Sequence, residues 1–499
     1  MLEKELKQMI EDECDKLSNR YHQYHNAMEI EYLRNKRRIS NPPSKRINVP
    51  PYWEVDKKFN PFYVKKHSRQ IARSLARKLE SQSYTPHPPY TMEVEKKDGG
   101  KREVVIFQIP DAVVSKYIYK KLNSKNRHRF SSTSYAYRND RNVHFAVQDI
   151  SIELKNHPRV FVAEFDFKNF FGSIPHEYLL LQLDKNGFIV NGFEKYIISR
   201  FLSMVDKGVP QGTSISLFLA NLACWNLDRR LENEGLRFAR YADDTVIWSS
   251  SYEKITKAYD IIYSFSLETG IIINMNKSDG ISLLSPSGMP AEFGKIKHHI
   301  DFLGYKLSGQ KSSIKDEKVK EIKEKISYLL YRNLIQPIKP AVMRAVIIPN
   351  NGEDPAFVTA IMQIKRYLYG NLNDKVIQLY LNGHYKRLTF KGLMSFYPLI
   401  NDEQQLAELD GWLVSTILHV TKLRKEILES KGFEHIGGQF PFNLNKHTIL
   451  VECKNKRVKN KIGLIQIPSF LRIYQAIQLG IENDGIEYTM NPKSNSYNY

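Results

Sequence analysis

The 499-residue sequence predicts an α+β fold, and three observations predict it. Two runs rich in β-branched and aromatic residues, Val160–Phe165 and Thr245–Trp248, read as strands. Between Met92 and Phe107 two extended stretches flank Lys97-Asp98-Gly99-Gly100-Lys101-Arg102, a hairpin turn signal. After Gly309 the apolar spacing becomes helical, with Val319, Ile322, Ile326, Leu329 and Leu330 on one stripe.

In chain order, residues 1 to about 38 are charged and helix-prone, carry Tyr21, Tyr24 and Tyr32, and end in a basic stretch, Arg34 to Arg38. Asn41-Pro42-Pro43 stops that helix and Pro50-Pro51 extends the break. One helix is expected from Pro61, burying Val64, Ile71, Leu75 and Leu79, until Pro86, Pro88 and Pro89 end it. The hairpin follows, then a helix from Pro110 to Leu122 and the strand that ends at Asp166. Gly208-Val209-Pro210-Gln211-Gly212-Thr213-Ser214 is a turn-forming loop leading into one buried helix, Ile215 to about Leu231. Arg240-Tyr241-Ala242-Asp243-Asp244 precedes the second strand, so the acid pair is expected on a hairpin, with Tyr241 and Asp243 sharing a face. Helices are expected over Tyr252–Thr269, Lys315–Tyr331, Pro355–Tyr369 and Glu403–Glu429, the last burying Leu406, Leu409, Leu413, Val420, Leu423 and Ile427. Residues 491–499 form a polar tail. Domains are expected at 1–58 (N-terminal helical extension and linker), 59–310, 311–400 (helical) and 401–499 (helical, basic, with a flexible tail).

Charge narrows the function. Lys plus Arg number 74 against 54 Asp plus Glu, a net charge of +20, which points to a polyanionic partner, nucleic acid first. No apolar run approaches the roughly 20 residues of a membrane span. Met1-Leu2-Glu3-Lys4-Glu5 lacks the apolar core of a signal peptide. The three cysteines, Cys14, Cys224 and Cys453, are too scattered for a zinc cluster or a disulfide framework. A cytoplasmic protein with no membrane partner is expected. Asp243 and Asp244, adjacent on a turn, repel unless a cation lies between them.

Asp166 to Ile174, Val209-Pro210-Gln211-Gly212, Tyr241-Ala242-Asp243-Asp244, Asn276-Lys277-Ser278 and Phe302-Leu303-Gly304-Tyr305 occur in one order along the chain. That ordered set resembles the reverse transcriptases over roughly residues 60 to 310, with the Lys96–Arg102 hairpin similar to the family's fingers and Tyr137-Arg138 with Arg141 similar to a motif of bacterial members. The resemblance implies a right-hand polymerase: fingers and palm over 59–310, a thumb over 311–400 and a mainly helical C-terminal extension over 401–499. It implies RNA-directed DNA synthesis by in-line phosphoryl transfer with two Mg²⁺ ions, from an RNA template and deoxynucleotides to a DNA product. Asp166, Asp243 and Asp244 would be catalytic, and with the Phe167 carbonyl they would ligate the metals through hard oxygens. Such acids work ionised, so no raised pKa is expected. Lys96, Lys97 and Arg102 would bind the triphosphate, Gln211 would seat the base pair, and Lys277 would protonate pyrophosphate. Phe171, five residues after Asp166, stands where the family excludes a 2′-hydroxyl. Phe302, Leu303, Gly304 and Tyr305 would form the primer grip.

The subclass follows from less. Ser216-Leu217 departs from the Ser-Pro many relatives carry, which puts template handling in doubt. The chain shows neither the Cys/His spacing of an intron nuclease domain nor the Val-Thr-Gly motif of retron enzymes. Phe59-Asn60-Pro61-Phe62-Tyr63, Leu409-Asp410-Gly411-Trp412 and Ile467-Pro468-Ser469-Phe470 look more like bacterial defence-associated reverse transcriptases, which serve anti-phage immunity and several of which copy a dedicated non-coding RNA, the template expected here. Some of these start synthesis on a protein hydroxyl, making Ser494, Ser496, Tyr497 and Tyr499 candidate priming groups. Two alternatives stay open: a catalytically silent RNA-binding scaffold, and a template-independent or RNA-copying polymerase. Template identity and homo-oligomer formation stay open too.

Overall fold

The computed structural model describes residues 1–36, 42, 48–95, 101–157, 159–339, 354–458 and 460–490. The chain divides into two units. The first comprises Met1–Met28, Arg46–Ala146 and Arg159–Lys297; the second comprises Glu29–Lys45, Val147–Pro158 and His298–Tyr499.

In the first unit, α1 (Leu2–Lys36) buries Leu6, Met9, Ile10 and Cys14. After α2 (Tyr52–Val55), the helix expected from Pro61 is two: α3 (Pro61–Lys66) and α4 (Ser68–Glu80), parted at His67. Asn60 caps α3 by accepting from the Phe62 amide at 2.9 Å, and Pro61 needs no amide partner in the first turn. Strands β1 (Tyr90–Glu95) and β2 (Lys101–Ile106) form the expected hairpin. Helix α5 (Ile109–Asn126) follows; α6 (Val143–Asn156), which the sequence reading did not foresee, begins in this unit and from Val147 belongs to the second.

The five-stranded sheet of this unit runs β4-β5-β3-β6-β7: Arg237–Tyr241, Asp244–Ser249, Val160–Phe165, Gly280–Leu284 and Ile296–Lys297. All pairs are antiparallel except β6 with β7. Short helices α7 (Phe170–Ser173), α8 (His176–Lys185) and α9 (Gly192–Leu202) leave β3. The helix expected over Ile215–Leu231 breaks at Cys224 into α10 (Ser214–Ala223) and α11 (Trp225–Asn233). Helix α12 (Tyr252–Thr269) is capped by Ser251, and its Ile255, Ala258, Ile262 and Phe265 join the same buried core as Ala163, Phe165 and Ile247. Period-2 strands and a period-3.6 helix thus share one apolar layer.

In the second unit β8 (Ile300–Phe302), β9 (Tyr305–Leu307) and β10 (Ser312–Ile314) form a small sheet. Helices α13 (Asp316–Leu330), α14 (Pro355–Tyr369), α15 (Asp374–Leu381), α16 (Glu403–Glu429) and α17 (Ile449–Asn455) follow, then hairpin β11 (Arg457–Val458) and β12 (Lys461–Ile462), α18 (Phe470–Asp484) and α19 (Ile486–Thr489). Asp354 caps α14 and pairs with buried Arg424 of α16 at 2.6 Å. That pair turns the C-terminal half of α16. Ile417, Thr421, Arg424 and Leu428 face inward there, while Leu423 is exposed and Val420 and Ile427 are half-buried, unlike the expected stripe. Two sequence patches meet in this unit: Asp410 accepts from the Ser469 hydroxyl and the Phe470 amide, each at 2.6 Å, fixing the start of α18 on α16. Among the described residues no helix is long and apolar enough to cross a membrane.

Candidate active site

The register of the sheet brings the acids together. Phe165 pairs with Thr245 and Tyr241 with Asp244, so Asp166, one step past β3, lies beside the β4–β5 turn. That turn is Ala242-Asp243, with Ala242 at φ +61°, a left-handed conformation that costs a non-glycine residue about 1 kcal/mol or more. The left-handed residue interrupts the strand between Tyr241 and Asp243, and both lie close enough to Tyr137 to add to the rise that burial causes in its pKa. Arg240 supports the strained residue by donating from Nη1 to the Ala242 carbonyl at 2.9 Å.

Asp166 is held from the other side. Lys277 Nζ lies 3.0 Å from its Oδ2, and Asn274 Nδ2 donates to the same oxygen at 3.1 Å. The Ser278 hydroxyl accepts from the Asp166 amide at 3.3 Å. Asp243 stands within hydrogen-bonding reach of Asp166. Its carboxyl is pushed up to about 6, by burial first and then by the Asp166 charge. The Asp244 carboxyl is pushed up to about 8, by burial and by the charges of Asp243, Asp166 and Glu164. Both keep some surface open to solvent, but the atoms packed round them displace enough water to penalise charge. The expectation of unraised acids does not hold for these two: burial and mutual repulsion push Asp243 and Asp244 above the usual carboxylate range. The charge of Lys277, whose side chain is 71% exposed, works against both shifts, and the hydrogen bond to Asp166 raises its own pKa.

Among the described residues no ready-made cage of three or more His, Cys, Asp or Glu side chains converges on one point. The donor set nevertheless fits a hard divalent cation. Asp166 and Asp243 are neighbours with excess negative charge, and an ammonium group already leans on one of them.

The loop before α10 is built onto this floor. Gly208, at φ +84°, leaves no room for a side chain: a Cβ there would sit 2.5 Å from the Phe171 carbonyl. The next amide, Val209, donates to that carbonyl at 2.7 Å. At the loop's other end Gly212, at φ +88°, would place a Cβ 2.5 Å from the Val105 carbonyl of β2. Gln211 between them is exposed. Phe171 is half-buried, with its ring 5.6 Å from Phe170 and 6.2 Å from Tyr137, whose ring lies 6.5 Å from Tyr241. The Phe167 ring is buried and stacks on Phe170 at 5.9 Å.

Other sequence candidates lie elsewhere. Lys96, Lys97, Ser494, Ser496, Tyr497, Tyr499 and the side chain of Arg102 fall outside the described residues. Phe302, Leu303 and Tyr305 are buried in the second unit, where Leu303 at φ +50° and Gly304 at φ +82° make a two-residue hairpin turn. Arg138 is spent on structure, donating to the carbonyls of Ser131, Ser134 and Arg127 and pairing with Asp140 at 2.7 Å. Sequence reasoning missed Arg240, Asp228 and Asn274. Arg240 stood in the quoted stretch, but a basic residue in a strand reads as solvent-facing until its distant partner is known.

Comparison with known proteins points to one family. The family described as "Reverse transcriptase (RNA-dependent DNA polymerase)" matches residues 94–307. The chain is similar to the Retron Ec86 reverse transcriptase of Escherichia coli, 33% identical over 125 residues, covering 24% of this chain and 35% of that protein. It is also similar to an uncharacterized 91 kDa protein in a cob intron of Schizosaccharomyces pombe, 26% identical over 183 residues, covering 33% of this chain and 21% of that protein. The chain thus spans about a third or less of the length of these curated relatives. A solved telomerase from Candida albicans, in complex with a fragment of telomeric RNA, aligns at 12% identity and a TM-score of 0.37 over 76% of this chain and 68% of that one, too low a score to argue from. Residues 94–307 thus match the reverse transcriptase family, and part of the chain is similar to a retron reverse transcriptase.

Proposed function

We propose that this chain is an RNA-directed DNA polymerase that adds deoxynucleotides to a 3′-hydroxyl, using a pair of Mg²⁺ ions at Asp166, Asp243 and Asp244. One observation carries the reading: Asp166 and Asp243, 77 positions apart (243 − 166), stand side by side at the end of one sheet with Lys277 on the first of them. Bound there, divalent cations would offset charge on the attacking and leaving oxygens of in-line phosphoryl transfer.

The chain's own groups have separable tasks. The three acids, with the adjacent Phe167 carbonyl, hold the cations. Lys277, now paired with Asp166, is the group that would give a proton to pyrophosphate. The half-buried Phe171 ring excludes a 2′-hydroxyl. Lys96, Lys97 and Arg102 hold the triphosphate, and Gln211, exposed on its loop, meets the nascent pair. Phe302 to Tyr305 grip the primer, with 311–400 as thumb. A +20 chain holds template and product mainly by their phosphates, so binding weakens as salt rises. A dedicated non-coding RNA as template, with anti-phage defence as the setting, rests on the sequence resemblance alone.

The test is incorporation of labelled dTTP on poly(rA)·oligo(dT). Mg²⁺-dependent extension that EDTA stops and Asp243→Ala abolishes supports the reading. Undiminished extension by Asp243→Ala, or equal extension without template, rejects it.

A further inference from the structure

A second concavity lies within the other unit. The end of α14, helices α15 and α17, hairpin β11–β12 and the start of α18 enclose a groove of about 1470 Å³. Seven of its lining side chains are basic and one, Asp374, is acidic. The acid's charge is already neutralised, since Lys365 and Arg472 each approach it to 2.6 Å. Lys365 also donates to the Gly463 and Leu464 carbonyls at 2.9 and 3.2 Å, so this buried pair closes the floor. The other five cations, Arg366, Lys375, Lys454, Arg457 and Lys461, are exposed and form no ion pair among the described residues.

Basic residues alone would make a solvated face. Here two helices each place an exposed apolar side chain one turn from a cation, and β12 adds a third exposed apolar side chain. Met362 precedes Arg366 by one helical turn on α14, Leu450 precedes Lys454 by one turn on α17, and Ile462 follows Lys461 on β12. These apolar side chains are 46%, 52% and 64% exposed. Asn371, Gln378, Asn455 and Gln466 add amides that both donate and accept. A groove of this volume exceeds the roughly 300–1,000 Å³ that suits one small molecule.

We propose that this groove binds a single strand of nucleic acid, a few nucleotides long. Phosphates meet the five unpaired cations, bases lie on the aliphatic side chains, and the amides contact base edges or sugar hydroxyls. The site deepens the polymerase reading: it lies beyond residues 94–307, with Met362 to Leu379 on the proposed thumb and the remaining residues on the C-terminal extension.

The test is fluorescence anisotropy of the full chain with labelled oligo(U) and oligo(dT). The groove variant is Lys454→Gln/Arg457→Gln/Lys461→Gln. The matched control neutralises three exposed lysines of the first unit, Lys4→Gln/Lys185→Gln/Lys254→Gln. The groove variant is expected to bind about tenfold more weakly, with the slope of log K against log salt flattened by about 2. The control should change affinity less than about threefold. Preference for oligo(U) assigns the site to RNA, and preference for oligo(dT) assigns it to the DNA product; either supports it. Photocrosslinking of 4-thiouridine RNA to the unmodified protein, with peptides mapped by mass spectrometry, removes dependence on how the variant folds. Crosslinks within 450–467 support the site. Equal weakening by both variants, displacement by poly-glutamate at matched charge, or crosslinks confined to residues outside the groove overturns it.

Discussion

Arg240 and Asp228 form an ion pair with no exposed side-chain surface on either partner, closed by hydrogen bonds of 2.7 and 2.6 Å. The same guanidinium donates to the Ser134 hydroxyl at 2.7 Å and to the Ala242 carbonyl at 2.9 Å, so one side chain ties α11, the 131–138 loop and the acid turn. Removing one partner leaves an uncompensated buried charge. Asp228→Ala is expected to cost on the order of 3–5 kcal/mol of stability in urea unfolding. Arg240→Met with Asp228→Leu should recover most of that stability while nucleotide incorporation stays low, because the Ala242 carbonyl has lost its donor. Recovery of both together would mean that Arg240 serves the fold alone.

The raised acids predict a pH signature. A carboxyl whose folded pKa lies above its unfolded value of about 3.8 favours the folded state at low pH. That contribution is lost as pH rises through the folded values of about 6 for Asp243 and about 8 for Asp244. A divalent cation relieves the penalty where the acids would otherwise be forced to ionise. The gain in Tm from millimolar Mg²⁺ should therefore be larger near pH 8 than near pH 5.5. Asp243→Asn/Asp244→Asn should raise the metal-free Tm near pH 8 and abolish the Mg²⁺ gain. Equal gains at both pH values would count against cation binding by these acids.

Gly208→Ala introduces a Cβ 2.5 Å from the Phe171 carbonyl at a left-handed φ. A loss on the order of 2 kcal/mol is expected by thermal or urea unfolding, with weakened dNTP incorporation. A variant of native stability would show that the loop moves away from Phe171 without cost.

Phe171→Ala opens the space beside Tyr137 and Phe170. The ratio of kcat/KM for ribonucleotide over deoxynucleotide should rise by about tenfold or more, measured on one template with matched bases. An unchanged ratio would assign the ring to core packing only.

His144 is buried, and neither ring nitrogen has a hydrogen-bond partner among the described residues. Burial lowers its pKa to about 4. The unfolded chain takes up a proton at this position near pH 6.5, so stability is lost as pH falls from there through about 4, by up to about 3 kcal/mol. His144→Leu should flatten that acid limb in urea titrations. An acid limb identical to wild type would show that other groups produce it.

Long local signals carried most of what was legible. Helices at Tyr252–Thr269, Pro355–Tyr369 and Glu403–Glu429 announce themselves through periodicity, and Ser251, Asp354 and Asp402 cap them. The meeting of Asp166 with the Asp243-Asp244 turn was legible because a buried strand ending in an acid and an acid-tipped hairpin can share a sheet edge. The breaks at His67 and Cys224 were not, since neither carries proline or glycine and tertiary packing decides them. The turn of α16 toward Arg424 and the anchoring of Ala242 by Arg240 depend on acids 70 and 12 positions away, which no local pattern reveals.

The two glycines of the 208–212 loop press bare backbone against bare backbone, Gly208 on Phe171 and Gly212 on Val105. No flexible side chain cushions either contact. A methyl group at either glycine would therefore act as a wedge, prising the loop from β2 at one end or from the segment that follows Asp166 at the other.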